Sequence, residues 1–246
     1  ELGGVCPVTD TGDLWCGWPQ PTLFSSGNYV QTSPECALTE GGQVRCWGRP
    51  CVPLIGAGAG CNGASWGSDV PTTYGFADAT KVAGRCAITT AATVQCYGWQ
   101  NAGQTGNGVG GNIYNAPIPF TSSAVTVSNL STVVDLAAGY ESYCAIKADQ
   151  TVWCWGYSGS NAGVFVDGNS NEHAYNTPVQ IPGITDAAAI YGGMSYCVTH
   201  QSGQISCWGG NPAIALTAPS GTMHAPTAIA DLSGAIDVTV GRSHIC

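Results

Sequence analysis

Five times along this chain a pair of cysteines recurs with ten residues of separation: Cys6 and Cys16, Cys36 and Cys46, Cys86 and Cys96, Cys144 and Cys154, Cys197 and Cys207. The text around them repeats as well, in ECALTEGGQVRCWG, RCAITTAATVQCYG, YCAIKADQTVWCWG, YCVTHQSGQISCWG and the looser VCPVTDTGDLWCGW. Each copy reads as a short strand, a polar turn and a returning strand, the signature of a β-hairpin. In an antiparallel hairpin, residues equidistant from the turn face each other. Facing pairs of the closer kind hold their Cα atoms about 4.5–5.5 Å apart, within the span of a disulfide. The spacing therefore predicts five bridges, each fastening one hairpin and tying no distant parts together.

Ahead of each hairpin lies a β-branched or alanine-rich run with a small residue, usually glycine, shortly before the cysteine: TVVDLAAGYESYC, DAAAIYGGMSYC, ATKVAGRC and AIDVTVGRSHIC. Farther upstream come proline-led segments, VPTTYGF, APIPFTS, TPVQIPGI and APTAIADL, which suit edge strands because a missing proline N–H does no harm there. Each unit thus holds about four short strands, with no amphipathic helix pattern. A radial array of such units buries their apolar faces. The expectation is one all-β domain over 1–246, a β-propeller of about five to seven short four-stranded blades, each with a disulfide-stapled hairpin.

At Cys86–Gly108, Cys144–Gly156 and Cys197–Gly209, with GQTGNG at Gly103–Gly108, the text resembles the regulator of chromosome condensation repeat. It is similar in particular to the cysteine-bearing form found in extracellular bacterial proteins. The resemblance implies a propeller; it also implies guanine-nucleotide exchange on a small GTPase, which the chemistry of this chain argues against. First-cysteine separations of 30, 50, 58, 53 and 49 mark the opening unit as abbreviated. Cys51 and Cys61 share the ten-residue spacing without a hairpin turn between them, and are read as a disulfide-closed loop or the relic of a blade. Cys246 stands at the first-cysteine position of a further repeat. Three readings stay open for it: pairing with Cys6 or Cys16 in a ring closed by AIDVTV, membership of a longer propeller, or a bond to another subunit.

Thirteen cysteines suit an oxidising compartment, since the ten-residue spacings are unlike the short pairs of zinc modules. No leader stands before Glu1, so a secreted chain of this sequence is the mature or trimmed form. Charged residues make up 9% of the chain against roughly 25% in an average soluble protein. With six Lys plus Arg and a net charge of −9, the chain cannot assemble the basic face that nucleic acid or an anionic membrane requires. Its apolar stretches are too short for a membrane-spanning helix.

For chemistry, His173, His200, His224 and His244 are scattered, without metal-ligand spacing, and read as turn or surface residues. Asp10, Asp13, Glu40 and Asp149 fall in hairpin turns, where a carboxylate caps nearby N–H groups. Neither a nucleophile elbow nor a full calcium-loop spacing is present, and no cofactor or metal is expected. Trp47, Tyr97, Trp155 and Trp208 follow the second cysteine at one repeat position and are assigned to packing. Trp18, Trp66, Trp99, Tyr157 and Tyr175 lie outside that position and are the candidates for ligand contact. The expected function is a non-enzymatic extracellular or cell-surface module. It would recognise a protein or glycan, or self-associate as a subunit of a surface or filamentous structure. The alternative is a polysaccharide hydrolase or lyase with carboxylates converging in the propeller funnel.

Overall fold

A computed structural model describes residues 6–16, 22–48, 68–111, 119–159, 164–166, 173–210, 223–229 and 237–241. Cys51, Cys61, Cys246, Trp18 and Trp66 lie outside these residues. Four antiparallel four-stranded sheets follow one another along the chain. They are β3 (Tyr29–Thr32) to β6 (Ser68–Thr72), β7 (Ala79–Ala83) to β10 (Phe120–Thr126), β11 (Val133–Ala138) to β14 (His173–Gln180), and β15 (Ala187–Gly192) to β18 (Met223–Ala228). Before them stands a smaller unit of β1 (Leu14–Cys16) and β2 (Thr22–Ser25), extended by a bridge from Val8 to Leu14. No helix occurs among the described residues. The proline-led segments form the fourth strand of each blade, as their edge character predicts.

The middle strands of each blade carry the cysteines. Cys36 faces Cys46, Cys86 faces Cys96, Cys144 faces Cys154 and Cys197 faces Cys207 in the strand register. All five expected hairpin disulfides are formed, with Cα atoms 4.0–4.5 Å apart. The first strands β3, β7, β11 and β15 pack against their counterparts in neighbouring blades and so form the inner ring. The apolar cores lie between blades. Ile88, Val94 and the Cys86–Cys96 bridge meet Leu136, Tyr143 and Trp155 of the next blade, and Ile146 and Val152 meet Ile190, Val198 and Trp208 in the one after.

One contact explains the recurrent tryptophan. Trp155 and Trp208 are fully buried, and each indole N–H donates across a blade boundary, to the carbonyl of Gln104 at 3.1 Å and of Val164 at 2.9 Å. These acceptors occupy matching places in NAGQTGNG and NAGVFVDG. The loop between the third and fourth strands of one blade therefore clasps the tryptophan of the next. Gly106 (φ +63°) is required in that clasp, because a Cβ there would stand 2.8 Å from the Trp155 ring.

The segment 237–241 continues the inner ring. Val238 and Val240 pack on Tyr191 and the Cys197–Cys207 bridge of the last four-stranded blade. Asp237 accepts from the Val238 N–H at 2.9 Å, as Asp135 accepts from the Leu136 N–H at 2.9 Å in β11. Residues 237–240 thus take the place of a first strand beside β15.

Candidate functional site

The turns joining first and second strands gather on one face, and three of the residues just before a first cysteine, Arg85, Tyr143 and Tyr196, reach back to the preceding blade. Arg85 forms a two-pronged ion pair with Glu35, through Nε to Oε2 and through Nη2 to Oε1 at 2.9 Å. The Tyr143 hydroxyl accepts from the Arg85 backbone N–H at 3.3 Å. The Tyr196 hydroxyl and Ser142 Oγ are 2.9 Å apart. Ser195 matches Ser142 in the repeat, yet its buried Oγ has no partner among the described residues. The residue matching Tyr196 one repeat later is Ile245, which carries no hydroxyl.

Three charged groups from three successive blades meet here. Arg85 and Glu141 are each only 9% exposed. Burial alone would lower the Arg85 pKa, but Glu35 beside it outweighs that and holds the guanidinium protonated. Glu141 receives no such partner. Burial pushes its carboxyl from the ordinary 4.5 to about 7, and the positive charge of Arg85 offsets only part of the rise. Tyr143 stacks on Trp155 with ring centres 5.8 Å apart, and Tyr97 stacks on Tyr74 at 4.2 Å. Burial raises all three of Tyr74, Tyr97 and Tyr143 above the ordinary phenol range. Sequence reasoning passed over Glu35, Arg85 and Glu141. Their signal was a charge beside a buried cysteine, or in the turn just before it, in a chain with so few charges.

A second polar set circles the axis. Each first strand carries a bulge after its second residue, which frees a backbone N–H for an acceptor. Gln31 Oε1 accepts from the Val82 N–H at 2.9 Å, and Asp135 Oδ2 accepts from the Ile190 N–H at 2.9 Å, each one blade onward. Lys81 ion-pairs with Asp135 at the same level. Beside them the solvent-facing residues of the inner strands are Val30, Thr80, Val134 and Ala188.

His200, expected in solvent, is instead held on both sides. Its Nδ1 lies 2.6 Å from Asp186 Oδ1 and its Nε2 lies 2.9 Å from Ser206 Oγ. Those distances match a serine–histidine–aspartate set, but Ser206 is mid-strand in β17, 7% exposed, with backbone neighbours on both sides in Val198 and Ala228. A nucleophile needs an open approach and donors aimed at an oxyanion. This arrangement clasps the β16–β17 hairpin to the strand before it. The turn carboxylates act as expected at Asp149, whose Oδ1 accepts from the Thr151 N–H at 3.2 Å and its hydroxyl at 2.6 Å. No group of three metal-ligating side chains occurs among the described residues.

The candidate aromatics divide. Tyr157 is buried in β13, while Trp99 and Tyr175 are half-buried. Trp99 meets Phe120 edge-on at 5.2 Å, and Tyr175 meets Phe165 at 4.7 Å and His173 at 5.6 Å. Beside Tyr175, Asn176 Nδ2 donates to the carbonyls of Gly108 (2.9 Å) and Gly110 (3.0 Å). The glycine run at Gly108–Gly111 is therefore a loop docked on the next blade.

Residues 133–162 match the family model of the Regulator of chromosome condensation (RCC1) repeat. None of the curated proteins matches the chain. Among solved structures the chain is similar to Prp20p of Saccharomyces cerevisiae, at 16% identity and a TM-score of 0.73, over 99% of this chain and 66% of that one. That protein was studied for its binding properties to Gsp1p and histones. Yeast RCC1 (Prp20) bound to Kap60 matches at 17% identity and 0.74, over 98% and 63%. Human WBSCR16 matches at 19% and 0.66, over 92% and 59%. The chain thus spans about three fifths to two thirds of the length of these structures, and the likeness is one of fold.

Proposed function

From a chain that carries the regulator of chromosome condensation repeat and folds as a β-propeller, we propose an extracellular, non-enzymatic binding module whose partner is a protein. The observation that carries the non-enzymatic reading is how the ionisable groups are used. Lys81 is taken by Asp135, Arg85 by Glu35, and His200 by Asp186 and Ser206, while the one buried carboxylate left over among the described residues, Glu141, has Arg85 rather than a second catalytic group as its charged neighbour. Around the axis the inner strands turn Val30, Thr80, Val134 and Ala188 toward solvent, where a glycosidase would need two facing carboxylates.

The extracellular placement rests on the five hairpin disulfides, which persist in an oxidising compartment. A protein partner is favoured over a glycan because similar propellers were characterised with protein partners, Gsp1p, histones and Kap60. Low surface charge also leaves self-association open as the mode of assembly. The test is to immobilise the oxidised chain and screen extracellular proteins, cell-wall polymers and glycans, with molar mass by light scattering in parallel. Saturable binding to a protein, or concentration-dependent oligomers, is expected. A chain that stays monomeric, binds nothing and releases reducing ends from polysaccharide would overturn the proposal.

A further inference from the structure

We propose that the turn Gly139–Ser142 is a docking point for a lysine or arginine side chain of a protein partner, with Glu141 receiving the charge and Tyr140 covering the aliphatic stem. This rests on the binding-module reading and names the chemistry of its partner.

One group is left over in the charged cluster. Arg85 spends its Nε and Nη2 on Glu35, so the cluster of Glu35, Arg85 and Glu141 carries one carboxylate in excess. That carboxylate belongs to Glu141, a residue only 9% exposed, and among the described residues no donor serves its oxygens, which are not sealed from solvent. A buried carboxylate without a donor costs free energy when ionised. The groups that face it are Arg85 from the β7–β8 turn, Glu35 behind Arg85, and Tyr143 with Tyr97 and Tyr74 around them. A cationic side chain arriving from outside would meet the unbalanced charge in a site already desolvated, where such a pair is strongest.

Immediately before Glu141 in the chain stands Tyr140, 61% exposed on the same turn. An exposed tyrosine beside a partly buried charge is the composition of an interface hot spot. The aromatic can cover the methylene stem of lysine or stack on a guanidinium while the carboxylate takes the head group.

The partner is another protein rather than a second copy. Three of the four described cations, Lys81, Arg85 and Lys147, are already ion-paired within the chain. The rest of the molecule, with a net charge of −9, attracts basic partners at long range.

The probe is a short arginine–lysine peptide, with a control peptide in which citrulline replaces arginine and norleucine replaces lysine. Binding to the full oxidised chain is measured by calorimetry at pH 6, 7 and 8. Because an acidic protein attracts any polycation, the decisive comparison is Glu141→Gln against Asp149→Asn, an equal change of charge at an exposed turn. Glu141→Gln is expected to weaken binding about tenfold, and Asp149→Asn less than twofold. Tyr140→Ala, a surface change that leaves the fold intact, is expected to weaken binding several-fold. Wild-type affinity rises from pH 6 to pH 8 as Glu141 ionises, and binding at pH 7 releases protons; both effects vanish in Glu141→Gln. Equal losses in the two charge variants, or unchanged binding in Tyr140→Ala, would overturn the docking point. A chain that finds a protein partner in the broad screen indifferent to Glu141→Gln removes the docking point and leaves the module. A chain with no partner at all removes both.

Discussion

Glu141 sets the clearest pH dependence at the scale of single residues. Its carboxyl titrates at about 7 in the folded chain against an ordinary 4.5, so between those values the folded state holds a proton that the unfolded state releases. Stability from this group is therefore full below pH 4.5 and falls as pH rises toward 7, by up to ~3 kcal/mol. Glu141→Gln keeps the shape and removes the charge. Urea unfolding should find the variant close to wild type at pH 4.5 and more stable than wild type at pH 8. Parallel stability curves would refute the assignment. Trp155 makes the complementary case of a residue kept for packing. Trp155→Phe removes the donor to the half-buried Gln104 carbonyl, at a cost of about 0.5–1.5 kcal/mol in the same measurement.

At the scale of the element, the unit is the stapled hairpin. A closed loop of this size contributes about 2–3 kcal/mol by restricting the unfolded chain. Replacing Cys144 and Cys154 together by alanine should lower stability by that amount, and hydrogen exchange should show the loss concentrated in β11–β14. A loss spread evenly over all blades would mean that the bridges act beyond their own hairpins. The hairpins were legible in the sequence because their determinants are local: the ten-residue spacing, the polar turn, the aromatic after the second cysteine. The clasp between NAGQTGNG and Trp155 was not, since its two halves sit in different blades and nothing in either half names the other. The same holds for His200. A turn position predicted solvent, and only the folded register brings Asp186 and Ser206 to its two nitrogens.

For the whole molecule, the arrangement of blades decides which residues become a site. Glu35, Arg85 and Glu141 are separated by 50 and 56 residues in the chain, yet the propeller puts them on successive turns of one face. Periodicity could reveal that the blades repeat, but not that a charge before one cysteine lands on a charge before the previous one. Among the candidate aromatics in the described residues, Tyr157 is buried in β13 while Tyr175 packs on Phe165, placements set by the folded register rather than by the local sequence. The protein is a propeller stapled blade by blade, and life outside the cell is the proposal that those bridges support. The measurement that tests it most directly is disulfide mapping of the protein isolated from its native source, alkylated before any reductant is added. Five cross-linked peptides are predicted, joining Cys6 to Cys16, Cys36 to Cys46, Cys86 to Cys96, Cys144 to Cys154 and Cys197 to Cys207. Alkylated thiols at these positions would place the chain in a reducing compartment and contradict the extracellular account.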